Sequence, residues 1–232
     1  MKQSLAATRA VGASPCSANS AINASDNSLA VLRDIPGIVI ACPSDGAEAA
    51  MMMREAVRLA REEQRVVVFV EPIALYPMRD LHEAKDGGWM RTYPSPDRRI
   101  ALGEAGVQGE GTDLAIVTYG NGRYLSAQAQ AELAPQGVDA RIVDLRWLAP
   151  LPEAALLEAV KDCRHVLVVD ECRITGSLSE ALMALFAEQG DAPTARVAAS
   201  DCFIATGPAY GATLPSKESI VAAALKLAGG KS

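Results

Sequence analysis

Apolar runs alternate with amphipathic segments through the second half of the sequence, and this alternation limits the fold more than any other feature. Four runs are apolar at nearly every position, which is typical of strands buried on both faces. The predicted strands span residues 114–119, 138–143, 165–170 and 195–200. Because one helical segment separates each run from the next, the pattern predicts an α/β fold: a mostly parallel sheet with helices on both faces and right-handed crossovers.

The first half carries a shorter version of the same pattern. Apolar runs at 37–42 and 65–70 predict two buried strands, and Asp45 with Glu48 predicts a capping box for a helix that extends to Glu63. Two strands alone form an incomplete sheet. We therefore expect exposed edges, exposed apolar surface and a tendency to self-associate or to be degraded.

Helix-start signals punctuate the second half. Pro152 suits a first helical turn, and Ser216 is a suitable cap for the last helix. Ser177 with Glu180 predicts a second capping box.

Composition divides the chain further. Residues 1–27 are rich in Ala, Ser and Asn without helical or strand periodicity, which predicts a disordered or unpacked tail. Residues 77–110 are rich in Gly and Pro and lack a sustained period, so we expect a linker there. Residues 111–232 form the predicted C-terminal domain.

Charge and cysteine content exclude several classes of protein. The 22 basic and 28 acidic residues give a net charge of −6, which argues against nucleic-acid and anionic-membrane partners. The apolar runs are far shorter than the roughly 20 residues that cross a bilayer. Five cysteines without metal-site or redox-pair spacing, and no secretory signal pattern, predict a cytoplasmic location.

The sequence offers no complete catalytic or metal-binding motif. The turn at residues 120–122 (GNG) follows a strand, but Leu125 stands where a dinucleotide fingerprint requires glycine, so a structural turn is favoured. His82 and His165 each lack a partner at ligand spacing, which favours structural or solvated roles. We therefore predict no catalytic, cofactor-binding or metal-binding residue in this chain.

An acidic pair follows the third predicted strand of the second half. Asp170 and Glu171 lie where an α/β protein places polar function, at a strand's carboxyl end. In the alternative interpretation, Arg173 neutralises one carboxylate and the other lies at the positive end of the helix after Ser177. A structural or interface role is favoured over a catalytic one.

Four segments in order resemble one family. These segments are residues 111–120 (GTDLAIVTYG), 144–146 (DLR) with Pro150 and Leu151, 168–171 (VVDE) with Arg173 and Gly176, and 214–216 (LPS) with Ile220 and Val221. They resemble the C-terminal domain of the β subunit, or β-like half, of thiamine-diphosphate-dependent 2-oxo acid dehydrogenase E1 components, a domain of the transketolase C-terminal type. Arg146, Asp170, Glu171 and Arg173 are then candidate interface residues.

The resemblance extends back to residues 34–37 (DIPG) and 68–71 (VFVE). It implies that residues 28–76 are the truncated end of a pyrimidine-binding α/β domain. In that family, a glutamate of this domain activates thiamine diphosphate, and we expect it to lie outside this chain. Residues 44–46 (SDG) are the nearest match to the family's segment for the diphosphate and Mg²⁺, and we interpret them as a helix cap.

The resemblance also implies a function. We expect the β-type portion of an E1 component of pyruvate or branched-chain type, which takes part in oxidative decarboxylation of a 2-oxo acid. Expected partners are an E1 α-like subunit or a second copy of the chain, and also the acyltransferase E2. Thiamine diphosphate and Mg²⁺ belong to the parent enzyme, whereas this chain alone is expected to bind neither and to be inactive. The alternative is a stand-alone small-molecule or nucleotide-binding α/β module.

Overall fold

A computed structural model describes residues 28–202 and 207–229, where helices and strands alternate. The helices are α1 (Ser28–Arg33), α2 (Gly46–Glu62), α3 (Asn121–Leu133), α4 (Glu153–Val160), α5 (Leu178–Gln189) and α6 (Lys217–Leu227). The strands are β1 (Val39–Ala41), β2 (Val67–Phe69), β3 (Gly106–Gln108), β4 (Leu114–Thr118), β5 (Ala140–Asp144), β6 (Trp147–Ala149), β7 (Val166–Arg173) and β8 (Thr194–Ala199). The predicted disorder of residues 1–27 lies outside the described residues.

Five strands form the large sheet, in the order β3-β5-β4-β7-β8. The ladders β5–β4, β4–β7 and β7–β8 are parallel, and β3 adds an antiparallel edge next to β5. The predicted α/β class with a mostly parallel sheet is confirmed. Within one strand, neighbouring residues face opposite sides of the sheet. Val117 packs with the helices α4 and α5, whereas Ile116 packs with α3 and α6, so helices cover both faces.

Three strands form the small sheet, in the order β2-β1-β6. Strands β1 and β2 are parallel, and β6, which directly follows β5 of the large sheet, runs antiparallel to β1. The small sheet is thereby joined through the chain to the large one.

Both faces of the small sheet are covered, contrary to the exposed apolar surface expected from the sequence. Val39 and Phe69 pack against α2, whereas Ile40 and Val68 belong to the core of the large sheet. The expectation was wrong in this respect because the large sheet itself supplies the missing layer. An edge does remain at β2.

The segment that connects the two sheets is better packed than its composition indicates. Trp89 and Ile100 are buried, and residues 106–108 of the predicted linker form β3. Asp86 accepts hydrogen bonds from the N–H groups of four residues, and Asp80 accepts two more. Short carboxylate side chains that bond nearby backbone in this way order a loop without regular structure.

The helix caps show where the sequence pattern succeeds. Ser216 forms a capping box with Ser219, so the predicted cap of the last helix is confirmed. Asp45 caps α2 by accepting from the N–H groups of Ala47 and Glu48, but the reciprocal half of the predicted box is not formed, because the carboxylate of Glu48 accepts from the N–H group of Ser44 instead. The predicted capping box at Ser177 was wrong. Its hydroxyl bonds Ser179 instead, because Asp170, on the neighbouring strand β7, accepts the N–H group of Ser179.

Candidate functional site

A cluster of carboxylates and arginines lies between the small and the large sheet. It contains the acids Asp45, Glu48, Asp144 and Glu104 and the bases Arg91, Arg123 and Arg146. We call this group the carboxylate–arginine cluster. The acids Asp45 and Glu48 come from the cap and first turn of α2, and Asp144 ends β5. The cluster therefore ties α2 to the end of the large sheet where the parallel strands have their carboxyl ends.

Asp45 is fully occupied by donors. Its Oδ1 caps α2, at 3.0 Å from the nitrogen of Ala47 and 2.9 Å from that of Glu48. Its Oδ2 lies 3.1 Å from both Arg91 and Arg123. Burial by itself would raise the pKa of Asp45, but the hydrogen bond from Glu48 and the charge of Arg123 outweigh it and lower this pKa.

Arg146 holds the opposite side of the cluster. Its Nε and Nη2 donate to Oε1 of Glu48 at 2.9 and 2.7 Å, across 98 positions of sequence. It also pairs with the more exposed Glu104 at 3.4 Å. Its backbone has a positive φ of 59°, a conformation that is uncommon for residues other than glycine. The candidate interface residue Arg146 thus makes its ion pairs within this chain.

Asp144 is the least compensated acid of the cluster. It is 2% exposed, and its Oδ2 has no hydrogen-bond partner within the described chain and lies 3.6 Å from Arg123. Burial and the nearby charge of Glu48 raise the pKa of Asp144 to about 7. This carboxyl group is therefore expected to exchange a proton near neutral pH.

A second buried polar group lies where β4 and β7 end. Asp170 accepts from the hydroxyl of Tyr119 at 2.6 Å, and from the N–H groups of Cys172 and Ser179 at 2.9 and 2.8 Å. Its position at the N-terminus of α5 agrees with the structural alternative for the acidic pair. Burial and the charge of Asp170 raise the pKa of Tyr119 well above its ordinary value, so the phenol stays a donor.

Glu171 faces the start of α3. The amide of Asn121 donates to its Oε1, and burial raises the pKa of Glu171 to about 7. Arg173 does not complete the predicted neutralisation, because no ion pair joins it to Asp170 or Glu171 within the described residues. Arg173 instead lies near Asp201 and helps to lower the pKa of that carboxyl group.

The glycines of the turn between β4 and α3 lie too close to neighbouring residues for a side chain. A Cβ atom at Gly120 would lie 3.2 Å from both the Cys42 sulfur and Pro72, and one at Gly122 would lie 2.1 Å from Oγ1 of Thr118. These glycines permit close packing, as expected for a structural turn. The two histidines contact the chain as structural residues do: the backbone of His82 donates to Asp86, and Nδ1 of His165 lies 3.1 Å from the backbone oxygen of Asp113.

The SDG segment, residues 44–46, does not fit the diphosphate and Mg²⁺ of thiamine diphosphate. Mg²⁺ needs carboxylate or carbonyl oxygens that are free to bind it. Both oxygens of Asp45, the only carboxylate of the SDG segment, are taken by the helix cap and by the two arginines. Across residues 28–202 and 207–229, no group of three or more His, Cys, Asp or Glu residues could hold a metal ion.

A cavity of about 530 Å³ opens beside Asp45, at the carboxyl ends of β1 and β2. Its walls are largely apolar and aromatic, and include Phe69, Met78, Trp89 and Met90. The hydroxyl of Tyr76 donates to Glu71 at its rim, and this bond raises the pKa of Tyr76 to about 12. Trp89 lies beneath the guanidinium groups of Arg91 and Arg123, at 5.0 and 5.3 Å from the ring centroid.

Sequence reasoning missed most of the residues that build these groups. Glu48 was assigned only to a capping box, Tyr119 and Asn121 only to a strand and a glycine turn, and Arg91 and Arg123 were not singled out. The one usable signal was the DLR segment, because two of its three residues, Asp144 and Arg146, prove to be cluster members.

The fold and the site define a class: α/β proteins with a mostly parallel sheet, a smaller sheet in front of it, and polar side chains at the carboxyl ends of the strands. The family model described as "Transketolase, C-terminal domain" matches residues 103–220, about half of the chain. The chain belongs to the transketolase C-terminal domain family. Among the described residues, no helix has the length and apolar content needed to cross a membrane.

Two relatives narrow the comparison within this family. The chain is 30% identical over 196 residues to pyruvate dehydrogenase E1 component subunit beta of Bacillus subtilis (strain 168), covering 83% of this chain and 56% of that one. It is 32% identical over 155 residues to acetoin:2,6-dichlorophenolindophenol oxidoreductase subunit beta of Cupriavidus necator, covering 67% of this chain and 41% of that one. The resemblance to E1 β subunits is confirmed, and the chain spans about half the length of these curated relatives.

A solved structure agrees with the fold. The chain superimposes on a split-gene transketolase, described as an inactive beta4 tetramer, with a TM-score of 0.69 and 25% identity. The superposition covers 88% of this chain and 62% of that one.

Proposed function

We propose that this chain acts as the β-type portion of a 2-oxo acid dehydrogenase E1 component, and that it contributes assembly and docking to oxidative decarboxylation. One observation carries the proposal: the similarity to the Bacillus subtilis E1 subunit beta extends over 83% of this chain. Those 196 aligned residues exceed the 118 positions from 103 to 220 that the family model matches. The resemblance therefore includes part of the chain before the transketolase C-terminal domain.

The geometry of Asp45 supports a division of labour within the enzyme. With its carboxylate committed to α2 and to two arginines, this chain offers no diphosphate–Mg²⁺ site of its own. Thiamine diphosphate with Mg²⁺, the cofactor of the parent enzyme, is then bound by another polypeptide of the assembly. The transketolase C-terminal domain of this chain serves as the assembly unit.

The assembly face is the surface around the cavity at the ends of β1 and β2. Tyr76 and Met90 are more than half exposed there, and Tyr93 is 74% exposed nearby. Large apolar side chains that cluster at a concave surface are typical of protein interfaces. The proposed partner is an E1 α-like subunit or a second copy of this chain, and the acyltransferase E2 docks on the assembled enzyme.

Size-exclusion chromatography of this chain mixed with an α-type subunit tests the proposal. The mixture is expected to elute as a complex that neither protein forms alone. Met90→Asp, at the cavity, should weaken the complex at least tenfold, since it puts a charge into an apolar contact. Val31→Asp is the matched control, because Val31 is 69% exposed on α1 and does not line the cavity. Elution of two separate proteins would refute the assembly role, and equal losses in both variants would refute the assigned face.

Calorimetry separates assembly from cofactor binding. Titration of thiamine diphosphate and Mg²⁺ into this chain alone is expected to release no binding heat. Heat that develops only with the partner present would assign the cofactor to the assembled enzyme. Saturable heat with the isolated chain would contradict the division of labour.

A further inference from the structure

In the carboxylate–arginine cluster, three of the acids are more deeply buried than the three arginines. The side chains of Asp45, Glu48 and Asp144 are 5%, 6% and 2% exposed, whereas those of Arg91, Arg123 and Arg146 are 30%, 13% and 15% exposed. The negative ends thus lie deeper than the positive ends. Because water screens the arginines more than the acids, the buried interior retains an excess of negative potential.

Of the three buried acids, Asp144 has the weakest ion pairs with the arginines. Arg91 is taken by Asp45, and Arg146 by Glu48 and Glu104. Arg123 is shared by three acids: Asp45 at 3.1 Å, Asp144 at 3.6 Å and Glu48 at 3.7 Å. Oδ1 of Asp144 accepts from the N–H group of Arg146 at 3.2 Å, and Oδ2 has only the shared Arg123 nearby. An ionised Asp144 therefore faces Glu48 with one carboxylate oxygen that lacks a hydrogen-bond donor among the described residues.

Every element packed around Asp144 contributes to this balance. The start of α2 brings Ser44, Asp45 and Glu48, α3 brings Arg123, and the turn into β6 brings Arg146. The Cys42 thiol, at the end of β1, interacts with Asp144 and Glu171, and burial keeps its pKa well above the ordinary value, so it stays neutral. Burial with the charge of Glu48 outweighs Arg123 and Arg146 and raises the pKa of Asp144 to about 7.

We propose that Asp144 is the proton-binding residue of a joint between the two sheets, which is tight when Asp144 is protonated and loosens when Asp144 ionises. Ionisation places two carboxylates, Asp144 and Glu48, against each other in a buried site. The first turn of α2, which carries Glu48, is the element that moves away from Asp144. Strand β5, which carries Asp144, is held by a paired strand on each side. The closed joint binds the proton of Asp144 more tightly than the open joint does. The joint therefore opens more readily as pH rises through 7.

Hydrogen exchange on the full chain tests the joint. After correction for the intrinsic exchange rate, the protection of the α2 amides in the wild type is expected to fall about tenfold from pH 6 to pH 8. This factor is the change in ionisation of a group with a pKa of about 7 over that range. In Asp144→Asn the protection should be the same at both pH values within twofold, when measured in a Glu171→Gln background that removes the other buried acid with a pKa of about 7. Asp162→Asn is the control, because Asp162 is a half-exposed acid paired with Arg141, and it should behave as the wild type does.

Two further measurements test the joint if Asp144→Asn does not fold. In Glu48→Gln the pH midpoint of the α2 protection should shift downward, since the repelling charge is removed. Carbon-13 NMR of aspartate carboxyl groups in the wild type should show one Asp resonance that titrates near pH 7. Flat protection in the wild type, an unchanged profile in Asp144→Asn, or no Asp resonance titrating above about pH 5 would overturn the proposal.

Discussion

Glu171 illustrates how burial of one residue makes the stability of the chain depend on pH. Its pKa is raised to about 7, so the folded state binds a proton more tightly than the unfolded state, whose Glu titrates near 4.5. The stabilisation is fully present below about pH 4.5 and is lost as pH rises through 7.

Glu171→Gln should remove this dependence, because the amide resembles the protonated acid and retains an acceptor for Asn121. At pH 8 the variant is expected to be more stable than the wild type by about 3 kcal/mol, and the difference should vanish near pH 4. Urea unfolding at the two pH values measures it. A variant that is less stable than the wild type at pH 8 would show that the ionised carboxylate is stabilising.

Asp170 is the opposite kind of buried acid, since three donors surround it. The hydroxyl of Tyr119 and the N–H groups of Cys172 and Ser179 all lose their acceptor in Asp170→Ala. We expect a loss of about 3 kcal/mol in the free energy of unfolding, because buried donors without acceptors are costly. Asp162→Ala, which removes a half-exposed acid, should lose under about 1 kcal/mol. Equal losses in the two variants would contradict the importance of the buried network.

At the scale of elements, the packing of α3 on the large sheet depends on one glycine. A Cβ at Gly122 would lie 2.1 Å from Oγ1 of Thr118, much closer than any real contact. Gly122→Ala is therefore expected to cost about 2–3 kcal/mol of stability. The cost should fall by at least half in a Thr118→Ala background, which removes the clashing oxygen, and a double-mutant cycle measures this coupling.

Gly46→Ala provides the matched control for that experiment. Gly46 starts α2, and a Cβ there would meet nothing within 4 Å. The substitution is expected to be neutral or slightly stabilising, since Ala favours a helix more than Gly does. If Gly122→Ala lowers the stability of the Thr118→Ala variant as much as that of the wild type, contact with the Thr118 oxygen is not the cause of the loss.

The regular elements could be predicted from the sequence because their own residues specify them. Strand β4 and the first half of β7, residues 166–169, are apolar at almost every position, and Ser216 caps α6, so local physics is sufficient there. Strands β3 and β6 are only three residues long, and each exists because it pairs with a strand distant in sequence. No periodicity can show such short pairings.

The candidate site was predicted less well, for a related reason. The resemblance brought Arg146 and Asp170 to notice, but their partners, Glu48 and Tyr119, are 98 and 51 positions away. Glu48 also satisfied a local motif, which concealed its long-range ion pair. Burial of a charge becomes visible only when the fold brings both partners together.

For the whole molecule, the two sheets share one core, and part of the exposed apolar surface lies around the cavity. Tyr76, Met90 and Tyr93 are exposed there, so we expect the chain to self-associate as its concentration rises. Sedimentation velocity at two concentrations tenfold apart should show an increase in mean mass, which Met90→Asp reduces. A monodisperse monomer at high concentration would contradict this expectation.

The most direct test of the assembly role is turnover of a 2-oxo acid by the isolated chain with thiamine diphosphate and Mg²⁺. Asp45 is committed to α2 and to two arginines, so the SDG segment has no free carboxylate for the metal of the cofactor. We predict no release of CO₂ above the protein-free control. Decarboxylation that scales with the concentration of the purified chain would contradict the account.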